Sequence, residues 1–167
     1  MSSNERERSD TASRRRMAVT SIDKKIAELA DESDHRTLAI WAADCAERVL
    51  PLFERKRRND TRPREAIEAL RTWIRTGEFR MVTVRGASLA AHAAARSVED
   101  DDAARSAARA AGQAMATAHA RRHSIAAAIY AATAVRDSSD PVKAEAATLR
   151  EREWQYRHLL RLRGLAE

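Results

Sequence analysis

Apolar residues recur every three or four positions along most of this chain, and that spacing predicts helices rather than strands. The clearest stripe predicts a helix from about His35 to Arg55, with apolar positions at Leu38, Trp41, Cys45, Val49 and Leu52. Pro51 lies inside this pattern and removes the hydrogen bond to the carbonyl of Glu47, so we expect a kink or an ending there. A shorter helix precedes it, carrying Ile22, Ile26, Leu29 and Ala30 at the same spacing.

Turn and capping residues mark the limits of the helices that follow. Pro63 comes just after Asp60 and Thr61, the order expected at a helix start, and Gly77 is placed to end that helix. Its expected buried face consists of Ala66, Ile67, Leu70, Trp73 and Ile74. The connector GEFRMVT has a brief strand-like composition but no partner strand, so we predict no sheet. The next helix is expected from about Val82 to Val98.

Alanine dominates the stretch from Gly86 to Val135, which contains His92, His119 and His123. Alanine is the best intrinsic helix former, and its small side chain lets neighbouring helices approach closely. Gly112 weakens the pattern and HARRHS interrupts it, so we expect two helices with a boundary near Arg121–Ser124.

A last helix is expected after Pro141, reaching about Arg163. Its apolar positions predict a buried face formed by Ala146, Leu149, Tyr156 and Leu160. Glu153 and Arg157 should form an i,i+4 pair on the solvent side.

These elements predict an all-α protein, an irregular antiparallel bundle of about six helices with close, alanine-rich packing. A single helical domain is expected over residues 21–164. Residues 1–20 begin with a polar, charged stretch without apolar periodicity and are expected to form a disordered tail.

Net charge and cysteine content narrow the function classes. A formal charge of +6 is compatible with a nucleic-acid partner, and the basic clusters are Arg14–Arg16, Arg55–Arg58 and Arg121–Arg122. Acidic residues are interspersed, however, as is typical of a surface that keeps a protein in solution. No apolar run approaches the roughly 20 residues needed to cross a bilayer, so we expect no membrane association. The single cysteine, Cys45, favours a cytoplasmic protein without disulfides.

The candidate chemistry is confined to three histidines and this cysteine. On an unbroken helix, the four-residue spacing of His119 and His123 would place both imidazoles on one face, as in some metal sites. His92 is a candidate third ligand, and Cys45 or Asp44 a candidate fourth. A zinc-protease motif is excluded because position 120 is Ala120 instead of glutamate. The alternative is that the histidines fill gaps between small-residue helices and hydrogen-bond there. Cys45 lies on an apolar stripe, which favours burial over nucleophilic catalysis.

Five segments resemble the immunity proteins of the Imm-five-like type, small helical proteins of bacterial toxin systems. They are HRTLAIWAADCAERVLPLFE, RPREAIEALRTWIRTGE, AAHAAAR, AGQAMATAHARRHSIAAAIYAATAV and EREWQYRHLL, in this order. The resemblance as a whole covers roughly Ile22 to Leu162. Besides Cys45 and the three histidines, the residues that match the family pattern are Trp41, Glu47, Pro51, Arg64, Trp73, Glu78, Arg96, Gly112, Tyr130, Trp154 and Gln155. Arg121 departs from it, because relatives often have proline or a small residue between the histidines.

The resemblance implies a protein that binds and neutralises a cognate toxin without catalysis and without a cofactor. Its motif residues would form a shared core or pocket. Two alternatives stay open from the residues themselves. One is a helical nucleic-acid-binding protein that uses the arginine clusters, and the other is a metal or small-ligand protein built on His92, His119 and His123. The binding face and the oligomeric state do not follow from the sequence.

Overall fold

One alanine-rich helix lies at the centre of the fold and is buried on nearly all sides. The computed structural model describes residues 17–164, and over this range the chain forms seven α-helices and no strand. They are α1 Asp23–Asp31, α2 His35–Lys56, α3 Arg62–Thr76, α4 Met81–Arg96, α5 Asp102–Ala116, α6 His123–Ser138 and α7 Ala144–Leu162. The central helix is α5, which packs against α2, α3, α4 and α6. The predicted all-α class is confirmed.

Small side chains explain how one helix can contact four others. Eight of the residues that α5 buries are a glycine or alanines, among them Ala104, Ala107, Ala111 and Gly112. Because a helix coated with methyl groups is thin, its neighbours pack close to its backbone. Larger side chains fill the space further out on α2, where Trp41, Leu38 and Phe53 are buried.

Local sequence signals account for most helix ends. Asp34 caps α2 by accepting a hydrogen bond from the amide of Thr37 at 2.9 Å, and Asp101 caps α5 through the amide of Ala104 at 2.8 Å. Gly77 ends α3 in the left-handed conformation with φ 70°, as its position predicted.

Pro51 does not end α2, which continues to Lys56. The proline is exposed, as is Glu47, whose carbonyl loses its helical partner, so water can satisfy that carbonyl. Leu50 and Phe53 are buried beside it and hold the last turns against the core.

The predicted break between the two alanine-rich helices is present and begins earlier than expected. After Ala116 the chain runs through turns until α6 starts at His123. The guanidinium of Arg121 donates to the carbonyls of Ala30 and Asp31, both at 2.9 Å. Arg121 thereby caps the C-terminal end of α1 and ties this turn to it.

The predicted tail lies mostly outside the described residues, but its last four residues are placed. Ala18 is buried, and its amide donates to Oγ1 of Thr133 on α6 at 3.0 Å. The amide of Thr20 donates to Asp23 at 2.8 Å. Ala18 and Thr20 are therefore bonded to helical residues, whereas Met17 and Val19 are exposed. Within 17–164, no helix combines the length and apolarity required to cross a membrane.

Candidate functional site

His92 of α4 lies against Gly112 of the central helix. A Cβ atom built on Gly112 of α5 would stand 2.8 Å from Nε2 of His92 and 3.0 Å from Cδ2 and Cε1. One turn earlier on α4, the hydroxyl of Ser88 donates to the carbonyl of Gly112 at 2.9 Å. The glycine therefore makes room for an imidazole between two helices, which is the gap-filling role considered from the sequence.

His123, the first residue of α6, belongs to the same region. Its Nδ1 donates to Oε1 of Gln113 on α5 at 2.8 Å. Burial lowers the pKa of His123 below the usual 6.5, and Arg122 and His119 add to this effect. Burial also lowers the pKa of His92, with further contributions from Arg109, Arg96 and His123. Both imidazoles are therefore mainly neutral near pH 7.

His119 and His123 are not on one helix. The metal-site hypothesis required an unbroken helix through both residues, and this condition is not met. Residues 117–122 form turns, so the four-residue spacing does not place these two imidazoles on one helical face. His119 is exposed.

Cys45 lies in a different part of the protein. It is fully buried on α2, and burial raises the pKa of its thiol, as do the nearby charges of Glu151 and Asp44. In the part of the chain that the structure describes, no three His, Cys, Asp or Glu side chains are grouped so that they could hold a metal ion.

The predicted buried face of α7 is wrong for Ala146 and Leu149, whereas Tyr156 and Leu160 pack against the core. Ala146 and Leu149 are exposed, and Tyr156 and Leu160 are only half-buried. The buried residues of α7 are instead Thr148, Glu151, Arg152, Gln155 and Leu159. These residues recur at the three- or four-residue intervals of an apolar helix face, but four of the five are polar or charged. No ion pair is found for Glu153 and Arg157 in residues 17–164.

Gln155 is the centre of this buried polar network. Its side-chain amide donates to the carbonyl of Ala128 on α6 at 2.9 Å, and its Oε1 accepts from Arg152 at 2.6 Å. Its backbone carbonyl accepts from the indole nitrogen of Trp41 on α2 at 2.8 Å. Gln155 therefore joins three helices through hydrogen bonds, which explains how α7 docks with so few buried apolar side chains.

Two buried charges on α7 are paired with residues far away in the sequence. The guanidinium of Arg152, 1% exposed, contacts Asp23 of α1 at 2.7 Å. Burial opposes ionisation of Asp23, but the Thr20 amide and Arg152 outweigh it and hold the pKa of this carboxyl below 3.8. Glu151 accepts from Arg48 of α2 at 3.0 Å. Both charges have the partner that burial requires.

The network continues to the surface between α2, α3 and α7. Arg48 lies over the ring of Trp154 at 3.7 Å, and Trp154 stacks on His158 with centroids 4.8 Å apart. His158 contacts Asp44 at 2.6 Å, and Asp44 also pairs with Arg71 of α3 at 2.6 Å. These contacts join α2, α3 and α7 through a continuous series of paired polar and aromatic groups.

The arginine clusters are partly engaged within the protein. Lys56 pairs with Asp100 at 2.9 Å, and Arg57 donates to the carbonyl of Ser97 at 2.8 Å. Arg121 caps α1 as described above, while Arg55, Arg58 and Arg122 are exposed. Arg14–Arg16 lie outside the described residues. Some cations of these clusters are therefore engaged inside the protein, and the others are exposed to solvent.

The family model described as "Imm-5 like putative immunity protein" matches residues 28–162, most of the chain. The chain belongs to the Imm-5-like immunity protein family. Neither a curated protein nor a solved structure shows significant similarity to it. The matched range covers α2 to α7 and the last four residues of α1, and therefore the imidazole region and all of the polar network except its α1 end at Asp23.

The residues that carried the resemblance to the Imm-5-like family have distinct places in the fold. Several join helices, namely Trp41, Gln155, Gly112 and His92, as described above. Arg64 pairs with Glu54 at 2.6 Å, Glu47 pairs with Arg71 at 2.6 Å, and the ring of Trp73 lies 5.1 Å from that of His35. Tyr130 has Arg109 5.9 Å from its centroid, whereas Glu78 and Arg96 are exposed.

Proposed function

We propose that this chain neutralises a cognate toxin by binding it, without catalysing a reaction. The observation that carries the proposal is the family match over residues 28–162, which assigns the chain to a family of immunity proteins. An immunity protein that acts as a binder needs a stable scaffold and an exposed recognition surface, so the proposal concerns a protein partner and not a small substrate.

The contacts of the candidate polar residues support a scaffolding role. The side chain of His123 is held by Gln113, His92 fills the space above Gly112, and Cys45 is buried with a raised pKa. A reactive thiol would instead need a lowered pKa and access to solvent. These groups are therefore suited to holding the helices in place. The toxin would be recognised by other residues, which are exposed.

The test is co-expression with the polypeptide encoded by the adjacent gene, in a host whose growth that polypeptide arrests. We expect the full chain to restore growth and to co-purify with the polypeptide. Cells that carry the empty vector, and each protein purified alone, are the controls. Absence of both protection and complex formation would overturn the proposal.

A further inference from the structure

The solvent side of α4 carries large apolar residues that no other part of residues 17–164 covers. Val82 is 87% exposed and Leu89 is 57% exposed. They are seven residues apart, so they lie on the same side of the helix, roughly 10 Å from each other. The opposite side of α4 buries Val84 and Ala91 against the protein. We call the exposed side, formed by Val82, Arg85, Gly86 and Leu89, the α4 face.

Gly86 leaves a gap in the middle of the α4 face. A Cβ atom at this position would have no neighbouring atom within 4 Å. Gly86 has an ordinary helical φ, so neither its backbone conformation nor close packing requires a glycine. The gap lies between Val82 and Leu89 and can receive a side chain from a second molecule, as the holes between helical side chains do in packed helix pairs.

The connector before α4 extends this apolar area. Phe79 in this connector is 43% exposed, and Met81, the first residue of α4, is 38% exposed beside Val82. Four large apolar side chains are thus exposed within eleven consecutive residues. Such clustering is characteristic of interaction surfaces, whereas single exposed apolar residues are common on any protein.

The charge around the α4 face is positive. Arg80, Arg85 and Arg96 are exposed, and Glu78 is the acidic residue in this stretch. Over residues 17–164, no carboxylate lies within 4 Å of any of these three guanidinium groups. On the α2–α3 side, by contrast, Arg64 and Arg71 are paired with carboxylates at 2.6 Å. The excess charge at the α4 face is therefore available to an acidic partner.

We propose that the α4 face docks the toxin, and that the matching toxin surface is an apolar patch edged by acidic residues. This inference rests on the proposed function. The aliphatic side chains of Val82 and Leu89 favour a protein over a nucleic acid, because they offer no donor to phosphate or to base edges. Leu89 and Val82 supply apolar burial, and Arg80 and Arg85 supply charge complementarity at its edge.

Calorimetric titration of the full chain with the polypeptide encoded by the adjacent gene tests the docking surface. Val82→Asp and Leu89→Asp should each weaken binding by about 30-fold or more, as expected for residues at the centre of an interface. The matched control is Val142→Asp, because Val142 is 92% exposed in the turn before α7. It should bind like the unchanged chain.

Two further variants separate binding from folding and report on charge. Gly86→Leu fills the gap and should weaken binding while leaving the melting temperature equal or higher, because leucine favours a helix more than glycine does. Arg85→Glu should slow association and reduce its dependence on salt. Its control is Arg150→Glu, at a position on α7 that is also exposed.

The outcomes distinguish this inference from the proposed function. If the unchanged chain binds and protects, but Val82→Asp and Leu89→Asp bind equally well, the α4 face is overturned and the proposed function stands. If the unchanged chain neither binds nor protects, both are overturned. Two other outcomes would overturn the α4 face as a toxin site and assign it to a different partner. In the first, Val82→Asp abolishes self-association in sedimentation experiments but leaves toxin binding intact; in the second, it abolishes binding to duplex DNA but leaves toxin binding intact.

Discussion

The imidazole of His92 occupies the space that a side chain at position 112 would need. A Cβ on Gly112 would lie 2.8 Å from Nε2 of this ring, closer than non-bonded atoms normally approach. The ring is confined between α4 and α5, and the adjacent Ser88 hydroxyl is bonded to the Gly112 carbonyl. This pair therefore sets the distance between α4 and the central helix.

Gly112→Ala should destabilise the protein although alanine is the better helix former. Overpacking of a filled interior typically costs about 1–3 kcal/mol. Gly86→Ala is the matched control, because its Cβ has open space, and it should raise the free energy of unfolding by about 0.5–1 kcal/mol. Urea unfolding measures both. In a double-mutant cycle, His92→Ala should remove most of the penalty of Gly112→Ala; additive effects would contradict the proposed clash.

Gln155→Leu should be among the most destabilising single substitutions on α7. It removes the additional bond to the carbonyl of Ala128 and leaves one donor of the buried Arg152 without its partner, and the expected cost is about 1–3 kcal/mol. Gln113→Leu removes one hydrogen bond at a half-buried position and should cost about 1 kcal/mol. Thermal unfolding of both variants provides the comparison, and equal melting temperatures would show that the Gln155 network contributes little.

The contrast between α3 and α7 shows what the sequence could predict. Local signals define α3, because Pro63 starts it, Gly77 ends it, and Ala66, Ile67 and Leu70 are buried as their spacing predicted. On α7 the buried face is polar, and its partners are Asp23, Trp41 and Ala128, at least 27 residues away in sequence. Hydrophobic periodicity cannot identify such a face, because its stability depends on pairings that only the tertiary fold creates.

The candidate histidines illustrate the same limit. The four-residue spacing of His119 and His123 implied one face only if the helix was continuous, but the hydrogen bonds of Arg121 to α1 stabilise a turn between them. The contact of His92 with Gly112 could not be predicted from the sequence either, since it depends on how two alanine-rich helices pack against each other. A glycine within an otherwise alanine-rich helix was the available signal of close approach.

The stability of the protein should fall as the pH drops below about 7. His92 and His123 have pKa values below the usual 6.5 in the folded state, so the unfolded chain binds more protons than the folded one as the pH falls through that value. Their contribution is therefore complete above about pH 7.5 and is lost progressively on acidification. The free energy of unfolding in urea, measured between pH 5.5 and 7.5, tests this expectation. A double variant, His92→Gln with His123→Gln, should flatten the slope, and an unchanged slope would assign it to other groups.

Cys45 should resist thiol reagents in the native protein. The side chain is fully buried and its pKa is raised by burial, so reaction requires opening of the α2 region. With Ellman's reagent, we expect the native thiol to react at least about 1,000-fold more slowly than the thiol in denaturant, as global opening equilibria imply. Rapid modification of the native protein would contradict the buried position.

The most direct test of the central claim is a titration of toxin activity with the purified full chain. If the chain acts by binding, inhibition should increase linearly with the amount added and become complete at a fixed whole-number molar ratio, without dependence on incubation time after equilibrium. Complete inactivation of the toxin by a small fraction of an equivalent, progressing with time, would reveal turnover and contradict the account, as would a toxin activity that remains unchanged at several equivalents.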